Sequence, residues 1–223
     1  MRDSRLGLYS FLESEYTVYV VTRRRGLPQG YKLKDMADDY AEMIEQEFDG
    51  PVDVIGTSTG GSICQQFAAD HPGLVRRLVI HSSAYKLGPT GKDAQLRARD
   101  LAREGKWRQV GAVMLEFVIR PAWYRAALIW LASPLMALGT PEDPSDFIVT
   151  IDAEDKFDFK SRLPEIKAPT LVIAGAEDPG YTELLFREAA AGIPDSTLVL
   201  YPAMGHPARG RQFESDVLAF LQG

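Results

Sequence analysis

One cysteine, three histidines and no long apolar run narrow the field before any motif is read. A lone thiol, Cys64, excludes an internal disulfide framework and a cysteine-based zinc site. His71, His81 and His206 are too few for a histidine-rich metal site, and neither metal nor cofactor is expected. No basic block exceeds Arg23-Arg24-Arg25. With 25 Lys and Arg against 31 Asp and Glu, the net charge is −6, which argues against a nucleic-acid or membrane-surface partner. The N-terminal residues carry Arg2, Asp3, Arg5, Glu13 and Glu15 and lack the apolar core of a secretory signal. The most apolar stretch, Ala126 to Gly139, is too short to span a bilayer and is interrupted by Pro134. A soluble cytoplasmic chain in a reducing compartment is expected.

What is present is an ordinary globular composition, 45% hydrophobic and 25% charged over 223 residues. That is enough chain for one domain with an insertion. Strand-like and helix-like segments alternate, which predicts an α/β fold with a mostly parallel sheet flanked by helices. A helix is expected from Ser4 to Leu12, then a strand over Tyr16–Thr22, β-branched and aromatic throughout. Leu33, Met36, Ala37, Tyr40, Ile44 and Phe48 recur at helical spacing. Strands are expected at Val52–Ile55, Val75–Ile80, Thr170–Ala174 and Thr197–Tyr201, and helices at Ile63–Ala69, Glu183–Ala191 and around Phe213–Leu221. Between Leu87 and Lys160 only helical patterns appear. Residues 1–86 and 161–223 are therefore expected to form the core, and residues 87–160 a helical insertion.

Gly56-Thr57-Ser58-Thr59-Gly60 fits G-x-S-x-G between an expected strand and an expected helix, the context that the motif requires. A serine on so tight a turn is lifted above the sheet, and glycines beside it let strand and helix approach. The helix N-terminus then points its N–H groups at the reacting centre. No lysine follows as a phosphate-binding loop would need. Ser58 is the expected nucleophile.

A serine needs a base, and the base an orienting acid. His206 lies just beyond the last expected strand, on the same sheet edge as Ser58, and is the expected base. His71 falls near the far end of the sheet. His81 ends a strand on the near edge, where lining the pocket and packing behind it are both open readings. Asp178 follows the strand Thr170–Ala174 on that edge and is preferred as the acid over Glu177, being the shorter side chain.

These residues resemble the α/β-hydrolase superfamily across nearly the whole chain. The resemblance rests on Gly56-Thr57-Ser58-Thr59-Gly60-Gly61, on the run Pro169 to Pro179, and on Pro202-Ala203-Met204-Gly205-His206-Pro207. It implies a Ser58–Asp178–His206 triad, an oxyanion donor in the Thr59 backbone N–H, and a helical cap made by the insertion; Thr57 and His81 are also expected at the oxyanion and substrate side of the site. It also implies three further strands ahead of the first helix, and a loop after the third that supplies a second oxyanion donor. The chain opens near that first helix, so those strands are expected to be absent; initiation upstream of Met1 is the foremost explanation, ahead of a shortened active hydrolase and a decayed relative.

The expected activity is hydrolysis of a small to medium apolar ester by acyl transfer to water. Trp107, Trp123 and Trp130, with Met114, Phe117, Tyr124, Leu128, Leu131 and Met136, crowd the insertion and suggest an apolar lid. Arg120 and Arg125 flank its apolar stretch, where a solvated face is the simpler reading. The rivals are a ligand-binding protein without turnover, motivated by the missing oxyanion loop, and an acyltransferase. Exposed central strand edges would favour a homo-oligomer.

Overall fold

The computed structural model describes residues 7–119, 123–136, 140 and 143–223, apart from the side chains of Phe117 and Met136. Arg120 and the start of the helix expected from Ser4 lie outside the described residues. Four strands form one parallel sheet in the order β1-β2-β3-β4: Val52–Thr57, Val75–His81, Thr170–Gly175 and Ser196–Tyr201. Eight α-helices accompany them among the described residues: α1 Leu33–Glu47, α2 Thr59–Asp70, α3 Pro89–Arg103, α4 Trp107–Val118, α5 Arg125–Met136, α6 Ser145–Asp155, α7 Glu183–Gly192 and α8 Arg211–Gln222. None of the described helices is long and apolar enough to cross a membrane.

Alternation along the central strands builds two cores. Leu78, Ile80, Val172 and Ala174 face one side and pack with residues of α1, α2 and α7. Val79, Leu171 and Ile173 face the other and pack with Leu12 and with Phe213, Val217 and Leu221 of α8. β3 is buried at every position, as a strand covered on both faces must be. The stripe expected from Leu33 to Ile44 is the buried face of α1, whose first turn is capped by Asp35 accepting from the Lys32 N–H at 2.8 Å.

The strand expected over Tyr16–Thr22 does not form. A 3-10 turn covers Gly7–Ser14, and the chain then runs without ladder pairing to α1. Tyr19, Val20 and Val21 are exposed at 63%, 48% and 45%. β-branched residues favour a strand only where a neighbour accepts their backbone groups. β1, at the sheet edge, pairs with β2 alone among the described residues. Tyr19 instead sets its ring edge-on to Phe48, 5.0 Å away.

Helices α3 to α6 enter between β2 and β3, where the helical insertion is expected. They have a small core of their own. Ala94, Ala98 and Ala102 let α3 approach Val110 and Val113 of α4, with Trp107 edge-on to Phe147. Several residues expected in the aromatic lid face solvent instead. Trp123 is 95% exposed, and Tyr124, Leu128, Trp130 and Leu131 also face solvent. An apolar residue can be read from sequence, but the side of a helix left uncovered depends on what packs against it. α6 does return to the main body: Asp146 accepts from the Gly26 and Leu27 N–H groups, and Val149 joins the larger core.

Candidate active site

Four loops leave the carboxyl ends of the four strands on one edge, and each carries a residue of interest: Ser58 after β1, Ser82 after β2, Asp178 after β3 and His206 after β4. That edge is where open α/β sheets build their sites.

Ser58 is the N-cap of α2 at φ 54° and ψ −126°. A non-glycine residue in that region is strained by about 1–3 kcal/mol, which surrounding structure must sustain. Packing does so here. The Ser58 N–H extends the β1–β2 ladder to the His81 carbonyl (3.0 Å), and the Ser58 carbonyl accepts the first helical bonds from Gly61 (2.7 Å) and Ser62 (3.3 Å). The N–H groups of Thr59 and Gly60 precede those bonds, at the positively polarised helix end. A Cβ at Gly56 would fall 2.5 Å from the Gly60 carbonyl oxygen and 2.7 Å from Cys64 Sγ, so only glycine lets strand and helix meet. At the other side of the serine the crowded glycine is Gly61, against Ser83, while a Cβ at Gly60 would meet open space. Cys64 is buried at this crossing, and burial pushes its thiol up to about 12.

Asp178 and His206 are joined directly. His206 Nδ1 donates to Asp178 Oδ2 at 2.7 Å, with the Asp178 side chain fully buried and the His206 side chain 11% exposed. The other carboxylate oxygen, Oδ1, accepts from the N–H groups of Gly180 (2.8 Å) and Tyr181 (3.1 Å). Both acceptors of the carboxylate are thereby fixed, as an orienting acid requires. Glu177, the competing carboxylate, is exposed. The two loops lie close because Gly175 has no side chain: a Cβ there would sit 2.2 Å from the Met204 carbonyl oxygen. The Tyr181 ring stacks on His206 at 6.2 Å between centroids.

Thr57 and His81, expected beside the site with packing behind it also open for His81, are both held by the Tyr9 hydroxyl. His81 is fully buried, and its Nε2 donates to the Ala208 carbonyl at 2.8 Å, since a carbonyl can only accept. Its Nδ1 then accepts from the Tyr9 hydroxyl at 2.7 Å. Tyr9 also bonds the Thr57 hydroxyl, and Phe213 packs on the His81 ring at 4.5 Å. The Ala208 N–H donates to Ser82 Oγ at 3.0 Å, so the last residue of β2 and the one after it together hold the loop that carries His206. The other histidine, His71, bonds Asp38 of α1 at 2.8 Å, away from this edge.

Burial holds the His81 imidazole down to about 4, from the ordinary 6.5. The neutral ring therefore contributes stability that is complete above pH 6.5 and is lost as pH falls from 6.5 towards 4, where the unfolded chain takes up a proton and the folded one does not. Between pH 7 and pH 4.5 the loss from this group is about 2–3 kcal/mol. Urea unfolding at the two pH values is expected to show a smaller drop, by that amount, in His81→Gln. Equal drops in parent and variant would contradict this.

Two residues with no sequence motif also belong to this edge: Tyr181, which touches both Asp178 and His206, and Glu154 of α6, 2% exposed. The signal for Glu154 is its place on the face of α6 shared by Thr150 and Ile151. An isolated acid on a helix otherwise reads as solvated.

A model of the alpha/beta hydrolase family matches residues 4–218. A putative carbamate hydrolase RutD from Yersinia enterocolitica is 28% identical over 224 residues, covering 98% of this chain and 80% of that protein. A putative carbamate hydrolase RutD from Klebsiella pneumoniae is 30% identical over 182 residues, covering 81% and 68%. Among solved structures, a hydrolase from Pseudomonas aeruginosa matches with a TM-score of 0.76 and 26% identity, covering 90% of this chain and 77% of that one.

Proposed function

The chain belongs to the alpha/beta hydrolase family, and from that premise we propose that it is a serine hydrolase acting on a small to medium ester through Ser58, His206 and Asp178. One observation carries the reading. A buried carboxylate with every acceptor committed holds a histidine by Nδ1, on the sheet edge where a serine is kept at a strained positive φ.

In the proposed mechanism Ser58 Oγ attacks the substrate carbonyl while His206 takes its proton on Nε2. Asp178 fixes the ring with its proton on Nδ1 and stabilises the imidazolium. The Thr59 N–H and the α2 dipole hold the oxyanion. His206 then protonates the leaving alkoxide. A water, deprotonated by the same nitrogen, releases the acid and restores Ser58. The insertion is read as the family's cap; Trp123, Tyr124 and Trp130 in it face outward, so the proposal does not rest on a preference for apolar acyl groups. The names of the relatives add carbamates to the bonds to be tried. The proposed setting is the cytoplasm, with no cofactor and a small-molecule acyl substrate.

Intact mass after treatment with a fluorophosphonate tests this first. One adduct is expected, located at Ser58 by peptide mapping. A panel of p-nitrophenyl esters and carbamates then ranks the substrates. A folded protein that takes no adduct would reject the mechanism and favour a ligand-binding role.

A further inference from the structure

Glu154 is the buried carboxylate that the proposed mechanism leaves unused. It lies on α6, in the insertion, yet four donors from three other segments converge on it. Oε2 accepts from Thr59 Oγ1 at 2.6 Å and from Gln95 Nε2 at 2.9 Å. Oε1 accepts from Ser62 Oγ at 3.0 Å and from the Tyr181 hydroxyl at 3.3 Å. A carboxylate has about four lone-pair sites, so this one is saturated. Its acidic helix neighbours are committed to other partners: Asp152 pairs with Arg99 and Asp155 with Lys92.

The partners of Glu154 are not arbitrary parts of the molecule. Thr59 and Ser62 form the first turn of α2, directly after Ser58. A carboxylate is also favoured at that helix end by the dipole. Tyr181 meets both other members of the proposed triad: its N–H donates to Asp178 and its ring stacks on His206. Burial holds the Tyr181 phenol well above its ordinary value, so it stays protonated and can only be the donor to Glu154. One carboxylate thus ties the turn that carries the nucleophile to the residue that supports acid and base.

We propose that Glu154 is a positioning residue for the reaction, setting the first turn of α2 and the Tyr181 ring relative to each other across the junction of the insertion with the sheet. The proposal rests on the serine-hydrolase reading above. It assigns the insertion a part in assembling the site, through α6, rather than only covering it.

The test uses the full chain, Glu154→Gln, Tyr181→Phe and the double variant. Glu154→Gln keeps the shape but replaces two acceptor sites by donors; Tyr181→Phe keeps the stacked ring and removes one link. Each is assayed for p-nitrophenyl ester turnover, for the rate of fluorophosphonate adduct formation and for thermal unfolding. Glu154→Gln is expected to lower kcat and the labelling rate together, by about 10–100-fold, the scale of a small misplacement of reacting groups. KM should move little, because the interaction lost is not made with substrate. The double variant is expected to lose less than the product of the two single losses, the signature of a shared link. Unchanged kcat and labelling with a lowered melting temperature would overturn the proposal, leaving Glu154 a purely structural group. A rise in kcat would overturn it as well, since the carboxylate would then be opposing the oxyanion. Absence of any Ser58 adduct on the parent would instead remove the reading beneath it, and the proposal with it.

Discussion

Ser58→Ala is expected to abolish fluorophosphonate labelling and to lower ester turnover on the order of 10⁶-fold. The size follows from what remains. Alanine leaves His206 bonded to Asp178 and leaves the α2 N-terminus in place, so water alone must attack the carbonyl. Oxyanion stabilisation and binding still supply about 10³–10⁴ over the uncatalysed reaction. Little change in stability is expected, because alanine at φ 54° carries the same kind of strain as serine and the Ser58 backbone bonds to His81, Gly61 and Ser62 persist. Thermal unfolding and ester turnover measured side by side check both parts. Retained turnover on a well-folded variant would show that the nucleophile lies elsewhere. Turnover lost together with folding would show that the turn depends on the hydroxyl for structure.

Where the amino-acid pattern alone forces a conformation, it could be read without coordinates. Thr170–Ala174 is apolar at each position beyond its threonine, and such a run suits only a strand covered on both faces. The stripe from Leu33 to Ile44 has one helical solution. Ser58 between a strand and a helix needs glycine at position 56, and the reason is the 2.5 Å approach to the Gly60 carbonyl. Other features depend on partners that sequence does not display. Tyr16–Thr22 has the composition of a strand but joins no ladder among the described residues. The tryptophans of the insertion are apolar whichever way they face, yet Trp107 packs on Phe147 while Trp123 and Trp130 are exposed. The strand-end position of His81 leaves lining and packing both open, because its partners Tyr9, Ala208 and Phe213 are drawn from both ends of the chain. Glu154 is harder still, because its donors come from α2, α3 and the loop after β3. Long-range convergence of that kind leaves no local spacing to recognise.

Asp178→Asn separates the acid's electrostatic role from its structural one, and the geometry dictates how. Oδ1 of Asp178 accepts from two backbone N–H groups, those of Gly180 and Tyr181. An asparagine can satisfy both only by placing its amide oxygen there. Its NH₂ must then face His206 at the position of Oδ2, where the parent accepts at 2.7 Å. A donor in that position makes Nδ1 of His206 an acceptor and moves the ring proton to Nε2, the nitrogen that must take the proton of Ser58. The turn survives, since both backbone bonds do, and the variant should melt near the parent. The base is lost, and kcat at neutral pH is expected to fall by about 10⁴-fold. Asp178→Ala would lose the turn as well, leaving the Gly180 and Tyr181 N–H groups buried without acceptors at about 1–3 kcal/mol each. It should therefore be both inactive and destabilised. Glu177→Gln, on the exposed neighbour, should leave turnover unchanged. If Asp178→Asn instead retained turnover within tenfold of the parent, Asp178 would be a turn residue rather than the orienting acid, and the proposed triad would fail at that member.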